Sequence, residues 1–281
     1  VKDVDGTSLG ILYLDYYTRA SKAAGAWMTE FRHYTKVDGK EEMPLVSVVY
    51  NFSPAVGDAP VLLSWDDTET MFHEFGHALH GFFIRGDYKR IAGTIPQDMI
   101  ELPSQVMENW ASEPEVLKMY AKHYQTGEPM PDVLIQKIQE SGHFNQGFAT
   151  VEYIAASLLD MDWYSQSEVK DFDVNAFEKA SMDKYGLIKE ILPRYRSTYF
   201  SHIFDGGYCA GYYVYLWAEV LDADAFQAFK SSGDIYNKDL AAKFRKYVLS
   251  EGGYDDPMKQ YIKFRGQHPT EDPLLMKRGL K

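Results

Sequence analysis

The sequence predicts a mainly α-helical fold with a small β-sheet near its N-terminus. Short runs rich in β-branched and aromatic residues lie early in the chain, at 9–17, 45–52 and 61–65. After Ser64, apolar residues recur with helical period along most of the chain, without a repeat or a low-complexity tract. We therefore expect one domain over residues 1–281, in which the sheet precedes a helical body.

The individual elements follow from local patterns. The strands are predicted over "LGILYLDYY" (9–17), "LVSVVYNF" (45–52) and, after a turn region rich in glycine and proline, "VLLSW" (61–65). Asp66 and Glu69 are spaced like a capping pair, so they predict the start of the first helix. Helical periodicity then predicts helices near 68–84, 99–112, 114–125, 131–141, 144–167, 173–184, 208–230, 237–250 and 256–265.

Composition excludes several classes of protein. The formal net charge of −12 argues against a nucleic-acid partner, which needs a basic surface. No stretch approaches 18 consecutive apolar residues, so we expect no membrane span. The single cysteine, Cys209, excludes an internal disulfide framework and predicts a reducing, cytoplasmic compartment. Because the chain begins at Val1, we expect it to be a piece of a longer protein, and an export signal upstream of Val1 stays open.

The segment "TMFHEFGHALHGFF" (70–83) places polar side chains in an apolar helix. His73 and His77 are four residues apart, so a helix stacks their imidazoles on one face, about 6 Å apart along the axis. Two imidazoles placed in this way can bind one zinc ion (Zn²⁺). Glu74 is rotated away from them and can act as a general base towards a zinc-activated water. The small Gly76 leaves room beside the imidazoles. His80 is a candidate third ligand, but it lies off the face of His73 and His77, so we predict a packed residue or one that supports a ligand from behind.

A catalytic zinc ion needs a third protein ligand, and "DMIELPSQVMENWASEP" (98–114) offers two carboxylates. Glu101 and Glu108 share one predicted helical face, which the flanking apolar residues indicate to be largely buried. A buried carboxylate is costly unless it is paired or bound to a metal. We therefore predict Glu101 as the third ligand and Glu108 as the group that orients a ligand histidine.

These segments resemble the thimet oligopeptidase family of zinc metallopeptidases. The resemblance rests on "FHEFGHALHG" and "ELPSQVMENWA", and extends through "FNQGF", "YFSHIFDGGYCAGYYVYLWAEVLDADAF" and "FRGQHPTEDPLLMKRGL" to essentially all 281 residues. "LHGFF", "KHYQTGEPMP" and "SLLDMDWY" are similar to the bacterial peptidyl-dipeptidases (dipeptidyl carboxypeptidases), while "LSEGGYDDPMKQYIKFRG" is as close to the oligopeptidase A branch. The chain resembles the catalytic C-terminal half of a two-lobed, helical, channel-containing enzyme, and the family's N-terminal helical half has no counterpart in it.

The resemblance also implies roles for single residues. His73, His77 and Glu101 match the family's zinc ligands, and Glu74 matches its general base. His202, Tyr208, Tyr212 and Tyr215 match the residues that contact the substrate and stabilise the transition state.

The segment "HIFDGGYCAGYYVYLW" (202–217) also has a pattern of its own. Gly206 and Gly207 make it conformationally permissive. If the segment is helical, Tyr208, Tyr212 and Tyr215 share one face. Such a face packs a core in many proteins, but a permissive loop that carries phenol donors also suits the binding of a peptide backbone and its oxyanion.

The sequence therefore predicts a zinc metallopeptidase with one zinc ion per chain. We expect it to hydrolyse short peptides and to release C-terminal dipeptides, with Glu74 as general base. An oligopeptide endopeptidase with the same chemistry, or a catalytically inactive peptide-binding or metal-scaffold module, are the alternatives. We expect the protein to be a monomer, in which an N-terminal half like that of the family completes the enzyme.

Overall fold

A computed structural model describes residues 1–168, 171 and 173–281 of the chain. The described residues form two compact units, one of residues 1–139 and 218–281 and the other of residues 140–217. No helix among these residues is long and apolar enough to cross a lipid bilayer. A mainly helical fold with a small sheet near the N-terminus is confirmed. The single domain expected over 1–281 stays a prediction.

The sheet belongs to the first unit and has three strands. They are β1 (Ile11–Tyr17), β2 (Trp27–Arg32) and β5 (Leu45–Phe52), in the order β1-β5-β2. Strand β5 runs parallel to β1 and antiparallel to β2. A separate antiparallel pair is formed by β3 (Thr35–Val37) and β4 (Lys40–Glu42). Its two-residue turn is Asp38-Gly39, where both residues have positive φ, as a tight hairpin requires.

The helices of the described residues follow in chain order. They are α1 (Trp65–Phe83), α2 (Lys89–Ala92), α3 (Leu102–Ala111), α4 (Pro114–Tyr120), α5 (Asp132–Ser141), α6 (Gln146–Tyr164), α7 (Val174–Lys184), α8 (Ser201–Phe204), α9 (Val214–Ser231), α10 (Lys238–Phe244), α11 (Pro257–Arg265) and α12 (Asp272–Lys277). One turn of π-helix, Arg245–Leu249, continues directly from α10. Short 3₁₀ turns lie at Gln97–Met99, Ser197–Tyr199 and Gly252–Tyr254.

The predicted strand over 61–65 is wrong, because this segment leads into α1 instead of pairing. Residues 61–64 have no strand structure, and α1 begins at Trp65. The Ser64 hydroxyl accepts a hydrogen bond from the Asp67 N–H at 3.0 Å, and the Asp67 carboxylate accepts one from the Ser64 N–H at 3.1 Å. The capping pair is therefore Ser64 and Asp67, not Asp66 and Glu69 as predicted. This reciprocal pair satisfies two free backbone donors at the helix start.

The predicted helix over 208–230 begins later than expected. Residues 209–213 form turns, and α9 starts only at Val214. Ala210 has a φ of +52°, which a right-handed helix does not accommodate. Tyr208 and Tyr212 therefore precede the helix, whereas Tyr215 lies in its first turn.

Helix α1 is the central element of the first unit. Ala78 and Phe82 on one side of it are fully buried against Val46 and Val48 of β5. Another side packs on α3, and Gly76 lies where the backbones of the two helices come close together. A Cβ atom at Gly76 would lie 2.3 Å from the Pro103 carbonyl oxygen and 2.6 Å from the Ser104 Cα. The glycine thus makes room for the α3 backbone, not for the imidazoles as the sequence suggested.

Candidate metal centre

The predicted ligands come together where α1 meets the start of α3. The Nε2 atom of His73 lies 3.3 Å from Oε2 of Glu101, and Nε2 of His77 lies 3.2 Å from the same oxygen. The ring centroids of the two histidines are 5.0 Å apart. One atom from each of the three residues falls within 4.8 Å of the other two, which makes them a group able to hold a metal ion. Helix periodicity positions the two histidines, and the close crossing at Gly76 adds Glu101.

These separations fit a tetrahedral zinc site. Ligand atoms about 2.0–2.1 Å from a tetrahedral ion lie about 3.3–3.4 Å from one another. The two distances from the Glu101 oxygen, 3.2 and 3.3 Å, are close to that value. Two imidazoles and one carboxylate are also the donor set of several catalytic zinc sites, in which a fourth position stays open. The residues present therefore fit a zinc ion.

The electrostatics favour a positive charge between these groups. Burial acts to lower the pKa of His73, but hydrogen bonds to Glu101 and Glu108 outweigh burial and raise that pKa well above its usual value. Burial acts to raise the pKa of Glu101, but the two histidines hold it well below its usual value. In the metal-free protein a proton on the histidine supplies this positive charge, and a divalent cation held by the deprotonated ligands would supply it instead.

Two further side chains hold the ligands from behind. His73 Nδ1 is 2.5 Å from Oε1 of Glu108, the contact that the sequence predicted. The second contact was not foreseen: the fully buried Ser104 hydroxyl lies 2.9 Å from Oε2 of Glu101 and 2.9 Å from its backbone carbonyl oxygen, and it can donate to either. Ser104 lies three residues after Glu101, so its position in the first turn of α3 was a usable signal. Such contacts fix the orientation of metal ligands.

Glu74 is buried beside the two histidines. Its side chain is 5% exposed, and its Oε2 atom has no hydrogen-bond partner among the described residues. Burial raises the pKa of Glu74, although His73 and His77 oppose that rise. A buried oxygen without a protein partner is suited to accept a proton from a bound water, and a raised pKa brings a carboxylate nearer to neutral pH, where a base is most effective.

His80 is a packed residue outside the ligand group, as predicted. It is 4% exposed and does not belong to the three residues that converge. Burial lowers the pKa of His80 to about 3, with a smaller contribution from the nearby His77. His80 is thus a neutral packed residue at physiological pH.

The second unit brings the other predicted site residues into one aromatic cluster. The rings of Tyr208 and Tyr215 stack with centroids 5.3 Å apart. The His202 ring lies 6.1 Å from Tyr208, 5.4 Å from Tyr212 and 6.2 Å from Tyr215. These four residues, His202, Tyr208, Tyr212 and Tyr215, are called the tyrosine cluster below.

Exposure separates the members of the tyrosine cluster. Tyr212 is only 3% exposed and packs among Ala156, Phe200 and Ile203. Tyr208, Tyr215 and His202 are half-buried, and so have a surface that can contact a ligand. Gly207 has a φ of +84°, which favours glycine there.

Comparison with known proteins finds relatives that are named as peptidases. The dipeptidyl carboxypeptidase of Escherichia coli (strain K12) is 41% identical over 285 residues, which cover 99% of this chain and 41% of that protein. Oligopeptidase A of the same strain is 37% identical over 280 residues, covering 97% of this chain and 40% of that protein. The chain thus spans about two fifths of the length of these curated relatives.

A solved structure and a family model extend the comparison. The structure of PZ peptidase A with inhibitor 2 superposes with a TM-score of 0.57 at 13% identity, over 95% of this chain and 42% of that one. At this identity the likeness concerns the fold alone. The model of Peptidase family M3 matches residues 1–280, nearly the whole chain. The ligand group on α1 and at the start of α3 therefore lies in a chain that belongs to Peptidase family M3.

Proposed function

We propose that the intact protein is a zinc-dependent peptidase that releases dipeptides from the C-terminus of short peptides. The observation that carries this proposal is the convergence of His73 Nε2, His77 Nε2 and Glu101 Oε2 beside the buried carboxylate of Glu74. A metal scaffold needs the three ligands but has no use for a buried base. The choice of dipeptide release is supported by the 41% identity to a dipeptidyl carboxypeptidase.

The side chains around the ligand group have separate roles in the proposed reaction. His73, His77 and Glu101 would hold one zinc ion per chain, which supplies a Lewis acid that lowers the pKa of water and polarises a carbonyl. Glu74 accepts the proton of the attacking water and passes it to the leaving amine. Glu108 and Ser104 keep the ligands oriented while this happens.

The tyrosine cluster is proposed to bind the peptide. Tyr208 and Tyr215 offer phenol donors to the substrate backbone and to the negative charge that develops on its carbonyl oxygen, and His202 assists them. Tyr212 was expected to contact the substrate, but because it is only 3% exposed we propose that it acts by packing behind these rings. Gly206 and Gly207 allow the chain to approach the peptide closely. We also propose that the protein is a monomer, that it is located in the cytoplasm and that its partners are peptides.

The proposal is tested on the intact protein with Glu74→Gln, which keeps the size of the side chain but removes the base. We expect wild-type zinc content and near-complete loss of peptide hydrolysis. Wild-type turnover in the Gln variant would show that Glu74 is not the base. A zinc-replete wild-type protein without peptidase activity would instead support the scaffold alternative.

A second candidate is an oligopeptide endopeptidase, which the 37% identity to oligopeptidase A favours. One peptide with a free C-terminal carboxylate and the same peptide with an amidated C-terminus distinguish the two. Dipeptide release from the free form alone supports the proposed function. Internal cleavage of both forms, detected by mass spectrometry, supports the endopeptidase.

A further inference from the structure

One face of α6 holds the backbone of the segment that carries the tyrosine cluster. Tyr153, Asp160 and Tyr164 are spaced seven and four residues apart, so they lie on the same side of this helix. Each of them makes a hydrogen bond to the backbone of the segment 202–216. We call these three side chains the α6 clamp.

Asp160 is the charged member of the clamp and is fully buried. Its Oδ1 atom accepts the N–H of Ala210, and its Oδ2 atom accepts the N–H of Tyr212, each at 2.9 Å. These two amides lie in turns, and Ala210 has a positive φ. The backbone here is not a regular helix, so it does not supply the carbonyl acceptors that a helix would. A buried carboxylate is stable only when it is well hydrogen-bonded, and bonds to an ionised acceptor are among the stronger ones. Both carboxylate oxygens are thus committed to this stretch of backbone.

The two tyrosines of the clamp hold the segment on either side of its glycines. The Tyr164 hydroxyl donates to the Ile203 carbonyl, before the glycines. The Tyr153 hydroxyl donates to the Tyr212 carbonyl and accepts the N–H of Leu216 at 3.3 Å, after them. The longest stretch between clamped points runs from Ile203 to Ala210 and includes Gly206 and Gly207.

We propose that Asp160 is a positioning residue, which fixes the backbone between Tyr208 and Tyr215 so that both phenols keep the separation needed to hold one peptide. This inference rests on the proposed function, in which Tyr208 and Tyr215 contact the substrate. The stacked rings, with centroids 5.3 Å apart, are the geometry that the clamp maintains. The clamp keeps the donors in place before substrate binds.

The test is Asp160→Asn in the intact, zinc-loaded protein. Asparagine has the same shape, but its amide NH₂ would face a backbone N–H donor and so lose one of the two bonds. We expect faster amide hydrogen exchange in peptides that cover 203–216 and a kcat lowered by about 10-fold to 100-fold, because small misplacements of binding groups cost that much. Zinc affinity and amide exchange in α1 and α3 should stay as in the wild type.

Asp162→Asn is the matched control on the same helix. Asp162 accepts from the Ser181 hydroxyl at 2.7 Å and from Lys184 Nζ at 2.8 Å, so it ties α6 to α7 and not to the clamped segment. We expect this variant to keep the wild-type kcat and the wild-type exchange over 203–216. Equal losses of kcat and of exchange protection over 203–216 in both variants would mean that Asp160 acts only in general packing, which would overturn the proposal. Wild-type kcat and exchange in Asp160→Asn would overturn it as well.

Two further arms keep the test decisive. If Asp160→Asn does not fold, Tyr164→Phe removes one hydroxyl of the clamp and keeps the ring. Faster exchange near Ile203 with a few-fold lower kcat then supports the clamp, and unchanged values refute it. If the wild-type protein hydrolyses no peptide, the proposed function fails, while the exchange measurement still shows whether Asp160 holds the segment.

Discussion

His73 Nδ1 lies 2.5 Å from Oε1 of Glu108, across 35 residues of sequence and between two helices. This contact leaves Nε2 of His73 directed at the Glu101 oxygen, 3.3 Å away. The orientation of the first ligand therefore depends on a carboxylate that does not itself belong to the ligand group.

Glu108→Gln should weaken zinc binding by about 10–100-fold, the usual cost of losing such a partner. The variant keeps the shape of the side chain but loses the charge that orients the imidazole. Competition with a chromophoric chelator measures the affinity. Glu115→Gln, an exposed position in α4, is the control and should bind zinc as the wild type does. Equal zinc affinity in the two variants would show that Glu108 does not orient the ligand histidine.

Ser104→Ala should also weaken zinc binding, by up to about 10-fold, because it removes the hydroxyl that can donate to Oε2 of Glu101. The same chelator titration gives the result. Ser112→Ala is the control, since the Ser112 hydroxyl bonds only the Asn109 carbonyl at 3.3 Å among the described contacts. Wild-type affinity in Ser104→Ala would mean that the α3 backbone alone positions Glu101.

Gly76→Ala should destabilise the fold by about 1–3 kcal/mol or more, because the new methyl group would overlap the backbone of Pro103 and Ser104. Since that backbone carries Glu101, zinc affinity should fall as well. Denaturant unfolding and zinc titration measure the two effects. Gly147→Ala in α6, where a Cβ atom would meet nothing within 4 Å, is the control and should be neutral or slightly stabilising. A stable Gly76→Ala variant would contradict the close approach of α1 and α3.

His80 should make the metal-free protein less stable in acid. Its folded pKa of about 3 lies below that of an exposed histidine, near 6.5, so the unfolded chain binds more protons between these values. The stability contributed by neutral His80 is present above pH 6.5 and is lost as the pH falls towards 3. Between pH 7 and 4 the loss amounts to about 3 kcal/mol.

His80→Leu should lack this component. Denaturant unfolding of both proteins at pH 7 and pH 4 measures the difference, and effects of other titrating groups cancel in the comparison. The free energy of unfolding should fall more steeply with acid in the wild type than in the variant. Parallel pH profiles would show that His80 is not held neutral by the fold.

Tyr215→Phe should lower kcat by about 10²–10³, the usual cost of one donor to a developing oxyanion, with KM and zinc content nearly unchanged. The measurement uses the intact protein, as for the other kinetic tests. Tyr213→Phe, at an exposed neighbouring position, is the control and should keep the wild-type kcat. A raised KM with normal kcat would make Tyr215 a ground-state binder, and no change would make the tyrosine cluster a packing feature.

The sequence by itself determined what depends on local geometry. Four-residue spacing on a helix is enough to place His73 and His77 on one face, because the rise and turn of the helix are fixed. Strands β1 and β5 and most helices followed from periodicity in the same way. The hairpin at Asp38-Gly39 was also within reach of a local signal, but it was not predicted, and neither was β2.

Tertiary structure decided what depends on distant parts of the chain. Gly76 proved to accommodate the backbone of Pro103, and the tyrosine cluster assembled without the helix that was expected to align it. The sequence did not indicate the role of Asp160, because its partners lie 50 and 52 residues away in turns. Local periodicity carries no information on such contacts, since packing and backbone hydrogen bonds between separate elements determine them.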